Sequence, residues 1–302
     1  MSLNFIRLCN HNRFDNVIRL SGCYFLACFF CVKLWNAAKV FLFAVQIAAV
    51  IFLSAKLIAA EQFRIDNEIT ADKIVVQSKT YFLENDFLGI IEDNGEITYY
   101  NAAQDSFTLL APLLRIQTRV SASETKRAVD ADLNSIRTTK NETDERYKFI
   151  ANPVFKTELD NKSGQIALQS NWVDYKLTTE IFADDNIAKK YFDSCNLTCY
   201  LNYRITTAYG QLLRLEVNRI LRNENRFPKN ISVTFYYPKG KKDGKTGQTL
   251  NSSHKIIKRL TDEDKNKINN VLNSMNTFRT VKFDEYQKTI NKQIILKPTN
   301  TQ

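Results

Sequence analysis

The stretch Val173-Asp-Tyr-Lys-Leu-Thr-Thr-Glu-Ile181 decides the fold class of this chain. Val173, Tyr175, Leu177, Thr179 and Ile181 alternate with Asp174, Lys176, Thr178 and Glu180. Successive side chains of a strand point to opposite faces, so the segment buries one face and wets the other. Strands of that kind belong to antiparallel sheets with one solvated side. Just upstream, Val154 to Leu159 and Gln165 to Ser170 form a hairpin across Asn161-Lys-Ser-Gly164. Downstream, Ile231, Val233, Phe235 and Tyr237 alternate again, and a strand near Thr249 to Lys258 follows a polar loop.

Residues 61 to 120 predict a meander. Phe63, Ile65 and Ile69 open it, followed by Ile74 to Leu83, Phe87 to Ile91, Ile97 to Tyr100, Phe107 to Ala111 and Ile116 to Val120. Asn94-Gly95 is the strongest hairpin dipeptide among the turns between them. Four helices are predicted. Ser121-Ala-Ser-Glu124 reads as a capping box, with Val129, Leu133 and Ile136 at helical spacing behind it. Asp184 begins a helix carrying Ile187, Tyr191, Cys195, Cys199 and Tyr203 every fourth residue. Gln211 to Arg222 places Leu213, Val217, Ile220 and Leu221 on one face. Thr261-Asp-Glu-Asp264 caps the last, with Ile268, Val271, Leu272, Met275 and Phe278 inward. Asn141 to Arg146 reads as a loop or a frayed helix end, and residues after about Ile290 as a tail. The expected class is α+β. It is a curved antiparallel sheet, with an open half-barrel as one form of it, and about four helices packed on one face.

The start of the chain carries an address. Val40 to Ala55 is uncharged, Lys33 and Lys39 precede it, and Ala59-Ala60 and Glu61 follow. Basic, apolar, small and acidic in that order is the layout of a secretory signal cut after Ala60, with Ile58 three residues back. The competing reading is a retained membrane helix over 40–60, about 31 Å long. Residues 1 to 39 hold five basic residues against Asp15 alone, which keeps that end cytoplasmic and puts 61–302 outside. The expected location is therefore periplasmic or extracellular, or anchored by 40–60. The long leader suggests a start codon near Val32 or Leu34. Leu20-Ser-Gly-Cys23 spells an acylation box, but polar residues precede it. Cys28-Val-Lys-Cys31 has metal spacing without a second pair.

Composition narrows the function classes. Residues 61–302 hold 36 basic and 31 acidic side chains, spread out, so no basic stripe for nucleic acid is present. That part has two cysteines, Cys195 and Cys199, and one histidine, His254, so it is no disulfide scaffold. The chain has 29 asparagines, and its five N-x-S/T sequons are about what that abundance yields by chance. The organisation expected is a basic leader over 1–39, a signal or anchor over 40–60, a single domain over 61–290 and a tail over 291–302.

Candidate chemistry is thin. Gly240-Lys-Lys-Asp-Gly-Lys-Thr246 has three residues between its glycines and a strand after it, where a phosphate loop needs four and a helix. It reads as a solvated hairpin tip whose Lys241, Lys242 and Lys245 are candidates for contact with an anionic surface. Cys195 and Cys199 share the inner stripe of their helix and read as core thiols; the alternatives are a bond and a reactive pair. His254 has no Cys or His partner, and no serine sits in a sharp Gly-flanked turn to make a triad with it. Asp184-Asp185 and Asp262-Glu263-Asp264 sit at helix starts and Glu92-Asp93 at a turn, which explains each without catalysis. Neighbouring Tyr99-Tyr100 and Tyr236-Tyr237 put one ring on each sheet face. With Trp172 they are the candidates for an apolar ligand groove. No catalytic residue, cofactor or metal ligand is assigned.

The phrases Gly95-Glu-Ile-Thr-Tyr-Tyr, Ser106-Phe-Thr-Leu-Leu and Ala151-Asn-Pro-Val-Phe, with a closing helix ending near Phe278-Arg279, resemble an uncharacterised family of exported bacterial proteins. The order of elements also loosely resembles LolA-type periplasmic lipoprotein carriers, in which a curved sheet and its helices enclose a cavity for acyl chains. That resemblance implies an exported non-enzymatic protein binding an apolar or lipidic ligand in a sheet–helix cleft, meeting the membrane at least during export. The alternatives are an envelope protein acting through protein contacts and an enzyme of unrecognised type.

Overall fold

The computed structural model describes residues 62–72, 74–139, 144–236 and 247–296. The apolar run 40–60, Tyr237, the lysine loop and the final residues lie outside them. Among the described residues no helix is long and apolar enough to cross a membrane.

The chain is α+β: twelve strands and six α-helices among the described residues. The first half is the expected meander: β1 (Phe63–Ala71), β2 (Ile74–Phe82), β3 (Phe87–Ile91), β4 (Ile97–Asn101), β5 (Ser106–Ala111) and β6 (Ile116–Ser121). Gly95 takes φ +69° at the β3–β4 turn, where its N–H donates to the Ile91 carbonyl at 2.9 Å. Helices α1 (Ala122–Thr139) and α2 (Glu145–Ala151) lead to β7 (Lys156–Asp160), β8 (Gln165–Gln169) and β9 (Val173–Ile181). Helices α3 (Asp185–Thr206) and α4 (Gly210–Asn223) precede β10 (Arg226–Phe235) and β11 (Gln248–Ile257). The chain continues through α5 (Asp262–Ser274), β12 (Arg279–Thr280) and α6 (Phe283–Leu296).

All twelve strands join one sheet in the order β12-β6-β5-β4-β3-β2-β1-β11-β10-β9-β8-β7. Two meanders therefore merge where β1 pairs antiparallel with β11, Asn67 opposite His254. Strand β9 shows the alternation that its sequence dictates, with Val173, Tyr175, Leu177 and Thr179 buried. β10 begins five residues before the alternating stretch. Its Pro228 sits at a register shift against β9, one of the few places a sheet accepts proline.

Four expectations need correction. The sheet is mixed, because β12 pairs parallel with β6. A two-residue strand carries no alternation to read; its bonds come from tertiary placement, with the Val281 N–H donating to the Gln117 carbonyl at 2.9 Å. Among the described residues the α-helices number six, and they do not share one face. Phe82, Phe87, Phe107 and Leu109 belong to a large core with α3, α4 and α6, whereas their chain neighbours Tyr81, Leu88 and Leu110 pack with Ile268 of α5. Alternation places those two sets on opposite sides of the sheet. Within the run expected to lack a helix as far as Arg146, the Asp144 carboxylate accepts the Arg146 N–H at 2.9 Å and caps α2. The expected tail beyond Ile290 continues α6 as far as Leu296.

Ion pairs pin α5 to its side of the sheet. Arg64 donates to Asp66 at 2.6 Å and to Asp264 at 2.5 Å, and Asp264 also completes the capping box with Thr261. On the other side α1, α2, α3 and α4 meet around Val129, Ile150, Tyr203 and Leu212.

Candidate functional site: a sheet–helix cleft

A cleft of about 710 Å³ lies between the inner face of the sheet and helices α3 and α4. The two-residue period of four strands builds its floor. Ile65, Asn67 and Ile69 come from β1, Ser78, Thr80 and Phe82 from β2. Ile231, Val233 and Phe235 come from β10, and Leu250, Ser252 and His254 from β11. Each set faces the same way because each is spaced by two. The roof follows helical spacing instead. Tyr191, Cys195 and Cys199 of α3, with Gly210 and Arg214 of α4, recur at four-residue intervals.

The α3–α4 corner borders the cleft. Thr207 adopts the left-handed conformation at φ 54°, and its N–H closes α3 on the Tyr203 carbonyl. The chain then turns directly into α4 at Gly210. A Cβ there would stand 3.3 Å from the Phe235 ring, so glycine lets the helix start close against β10. Arg214 lies one turn further along, about 6 Å up the helix axis at ~1.5 Å per residue.

The polarity of the lining is uneven. None of the residues lining the cleft is Asp, Glu or Lys, and Arg214 is the fixed charge among them. Its largest electrostatic neighbours are the hydroxyls of Tyr191 and Tyr175 and the thiols of Cys195 and Cys199, and among the described residues no carboxylate lines the cleft beside it. Two other arginines of the fold differ. Arg64 is paired with Asp66 and Asp264, and buried Arg226 donates to Thr179 at 3.2 Å and Asn161 at 2.9 Å.

His254 faces the cleft as a neutral group. Burial first, and then the Arg214 charge, push it down to about 3. Its Nδ1 is 2.7 Å from Asn67 Oδ1 and its Nε2 3.0 Å from Ser252 Oγ. The neutral ring satisfies both contacts with Nδ1–H donating to the amide oxygen and Nε2 accepting from the hydroxyl. Cys195 and Cys199 are free thiols. Burial raises both, Cys199 to about 12, so they stay protonated at neutral pH and pack rather than react.

The tyrosines and tryptophan singled out from the sequence lie elsewhere. Tyr100 stacks between Phe87 and Phe107, with ring centres 5.2 Å from each. Tyr99 points to the opposite face, its hydroxyl donating to Asp86 at 2.6 Å. Trp172 precedes β9, and its carbonyl accepts the Tyr236 N–H at 2.9 Å. The Tyr236 hydroxyl donates to Asp174 at 3.0 Å. Tyr99 and Tyr100 lie on β4, Trp172 and Tyr236 beside β9 and β10, and none of the four lines the cleft. Tyr237, Lys241, Lys242 and Lys245 lie outside the described residues. The acidic clusters are structural: Asp184 caps α3, Glu92 pairs with Lys79 at 2.6 Å and Asp264 with Arg64.

Sequence reasoning passed over Arg214. The trace was there: Gly210, Arg214, Val217 and Leu221 share one helical face, so a cation interrupts an apolar stripe. Among the described residues no group of His, Cys, Asp and Glu is arranged to hold a metal. No family model matches this chain, and no curated protein matches it.

Proposed function

We propose that this is an exported carrier that binds an apolar or lipidic ligand between its sheet and helices α3 and α4. The cleft itself carries the reading. At about 710 Å³ it falls within the size range of small-molecule sites, about 300–1,000 Å³. Its floor is a patch of aliphatic and aromatic side chains with a few hydroxyls and amides. A protein acting only through surface contacts has no need to leave such a volume open under its helices, since interiors are otherwise close-packed.

Topology supports a curved, half-barrel-like sheet. Strands β6 and β7 sit near opposite ends of the sheet, yet α1 and α2 connect them. The large core takes residues from both β5 and β8, eight positions apart in the sheet, which a sheet curled round its helices allows. Ile74 at the β1–β2 tip is 64% exposed and shares the sheet face of Ser78, Thr80 and Phe82, which offers an apolar rim for ligand entry.

Native mass spectrometry of the protein purified from the producing cell is the test. A co-purified species should add a lipid-sized mass that is lost on organic extraction. A single clean polypeptide mass, unchanged after incubation with extracted lipid, would sink the carrier reading.

A further inference from the structure

An apolar cleft alone would take any greasy molecule, but this one holds an arginine with no counter-ion among the described residues. Arg214 is half-buried at the cleft wall, and covering its guanidinium further is costly unless an opposite charge meets it. The fold supplies carboxylates to Arg64 and side-chain oxygens to Arg226, and at Arg214 it supplies the Tyr191 hydroxyl beside two thiols. His254 adds no second positive charge, because it is neutral and bonded to Asn67 and Ser252. The cleft therefore presents one cation against aliphatic walls, with the negative side of the pair left for something that enters. Arginine is suited to that part: it is always charged, and its planar fork meets two oxygens of a carboxylate or phosphate at once.

We propose that the cleft takes a single-chain amphiphile with an anionic head, the head on Arg214 and the chain along Ile69, Val233, Phe235 and Leu250. The proposal rests on the carrier reading and narrows its ligand to one charge type. It also accounts for a roof in which Tyr191 stands beside Arg214, since that hydroxyl can donate to the same head.

The test compares four amphiphiles of equal chain length below their micelle concentrations: palmitate, hexadecyl phosphate, hexadecanol and hexadecyltrimethylammonium. Binding is read by titration calorimetry on the protein as recovered from the cell, with inorganic phosphate as the headgroup-only control. Wild type should bind palmitate or hexadecyl phosphate at least tenfold more tightly than hexadecanol, and the quaternary ammonium least. Whichever anion is preferred tells a carboxylate source from a phosphate ester. Arg214→Met should lose about ten- to a hundredfold for the anions, the range for one charge-assisted bond, while keeping or improving hexadecanol. Retained hexadecanol binding shows that the variant folds, and Arg214→Lys should fall between. If that variant does not fold, the ranking of the four probes on wild type decides alone. Equal affinity for all four overturns the anionic head and leaves the carrier standing. Binding of none overturns both.

Discussion

Acidification should expose His254. Its pKa is pushed down to about 3 in the folded protein, against 6.5 for an ordinary histidine. Between those values the unfolded chain binds a proton that the folded one does not. Stability is therefore fully present above about pH 6.5 and is lost as pH falls towards 3, at about 1.4 kcal/mol per pH unit. From pH 7 to pH 5 the loss amounts to about 2 kcal/mol, or roughly 4–8 °C in Tm for a domain of this size. Few other side chains titrate in that interval, which makes the effect separable. Urea unfolding at pH 7, 6 and 5 should show it, compared with His254→Gln, which keeps polar contacts to Asn67 and Ser252 but has no titrating ring. The wild type should lose about 2 kcal/mol more than the variant over the interval. If the two stability profiles run parallel, His254 is not buried as a neutral group, and the account of the cleft's electrostatics fails with it.

Two substitutions away from the cleft test the frame that holds it. Burial works against the Asp264 carboxylate, yet the Thr261 amide and hydroxyl and the Arg64 guanidinium hold it below the usual carboxylate range. Asp264→Ala should cost about 3 kcal/mol in urea unfolding at pH 7, since it strands part of Arg64 and opens the α5 cap; a cost under about 0.5 kcal/mol would mark the pair as a surface contact. The same substitution should flatten the acid limb, because a depressed carboxylate contributes stability that disappears as pH falls through its folded pKa. Gly164→Ala should lower Tm by several degrees, at a cost of about 2 kcal/mol or more. Gly164 sits at φ +71°, and an added Cβ would meet the Thr179 carbonyl oxygen. A neutral outcome there would mean that the β7–β8 tip does not close on β9.

Much of the architecture follows from short-range pattern. The alternation in Val173–Ile181, the turn at Asn94-Gly95 and the caps at Asp184 and Thr261 each depend on residues within a few positions, and all appear where the sequence puts them. Where the local trace is short or absent, the reading fails. Two residues of β12 have no period, and α2 is a seven-residue helix whose cap lies in a polar run. Facing also eludes a linear reading: the α5 stripe says that one side is buried, but not which side of the sheet it covers.

By itself, then, the sequence determined the class, the meanders and most helix boundaries, because periodicity and capping are local properties of the chain. The tertiary structure alone decided that β11 returns to β1, bringing His254 to Asn67 across 187 residues. It alone placed α3 and α4 over that seam and left Arg214 in the cleft with no acid beside it among the described residues. The reason is physical: a site made from the spacing between distant strands and the angle of a helix pair has no signature in any one segment, since each segment meets its own local rules wherever the others fold.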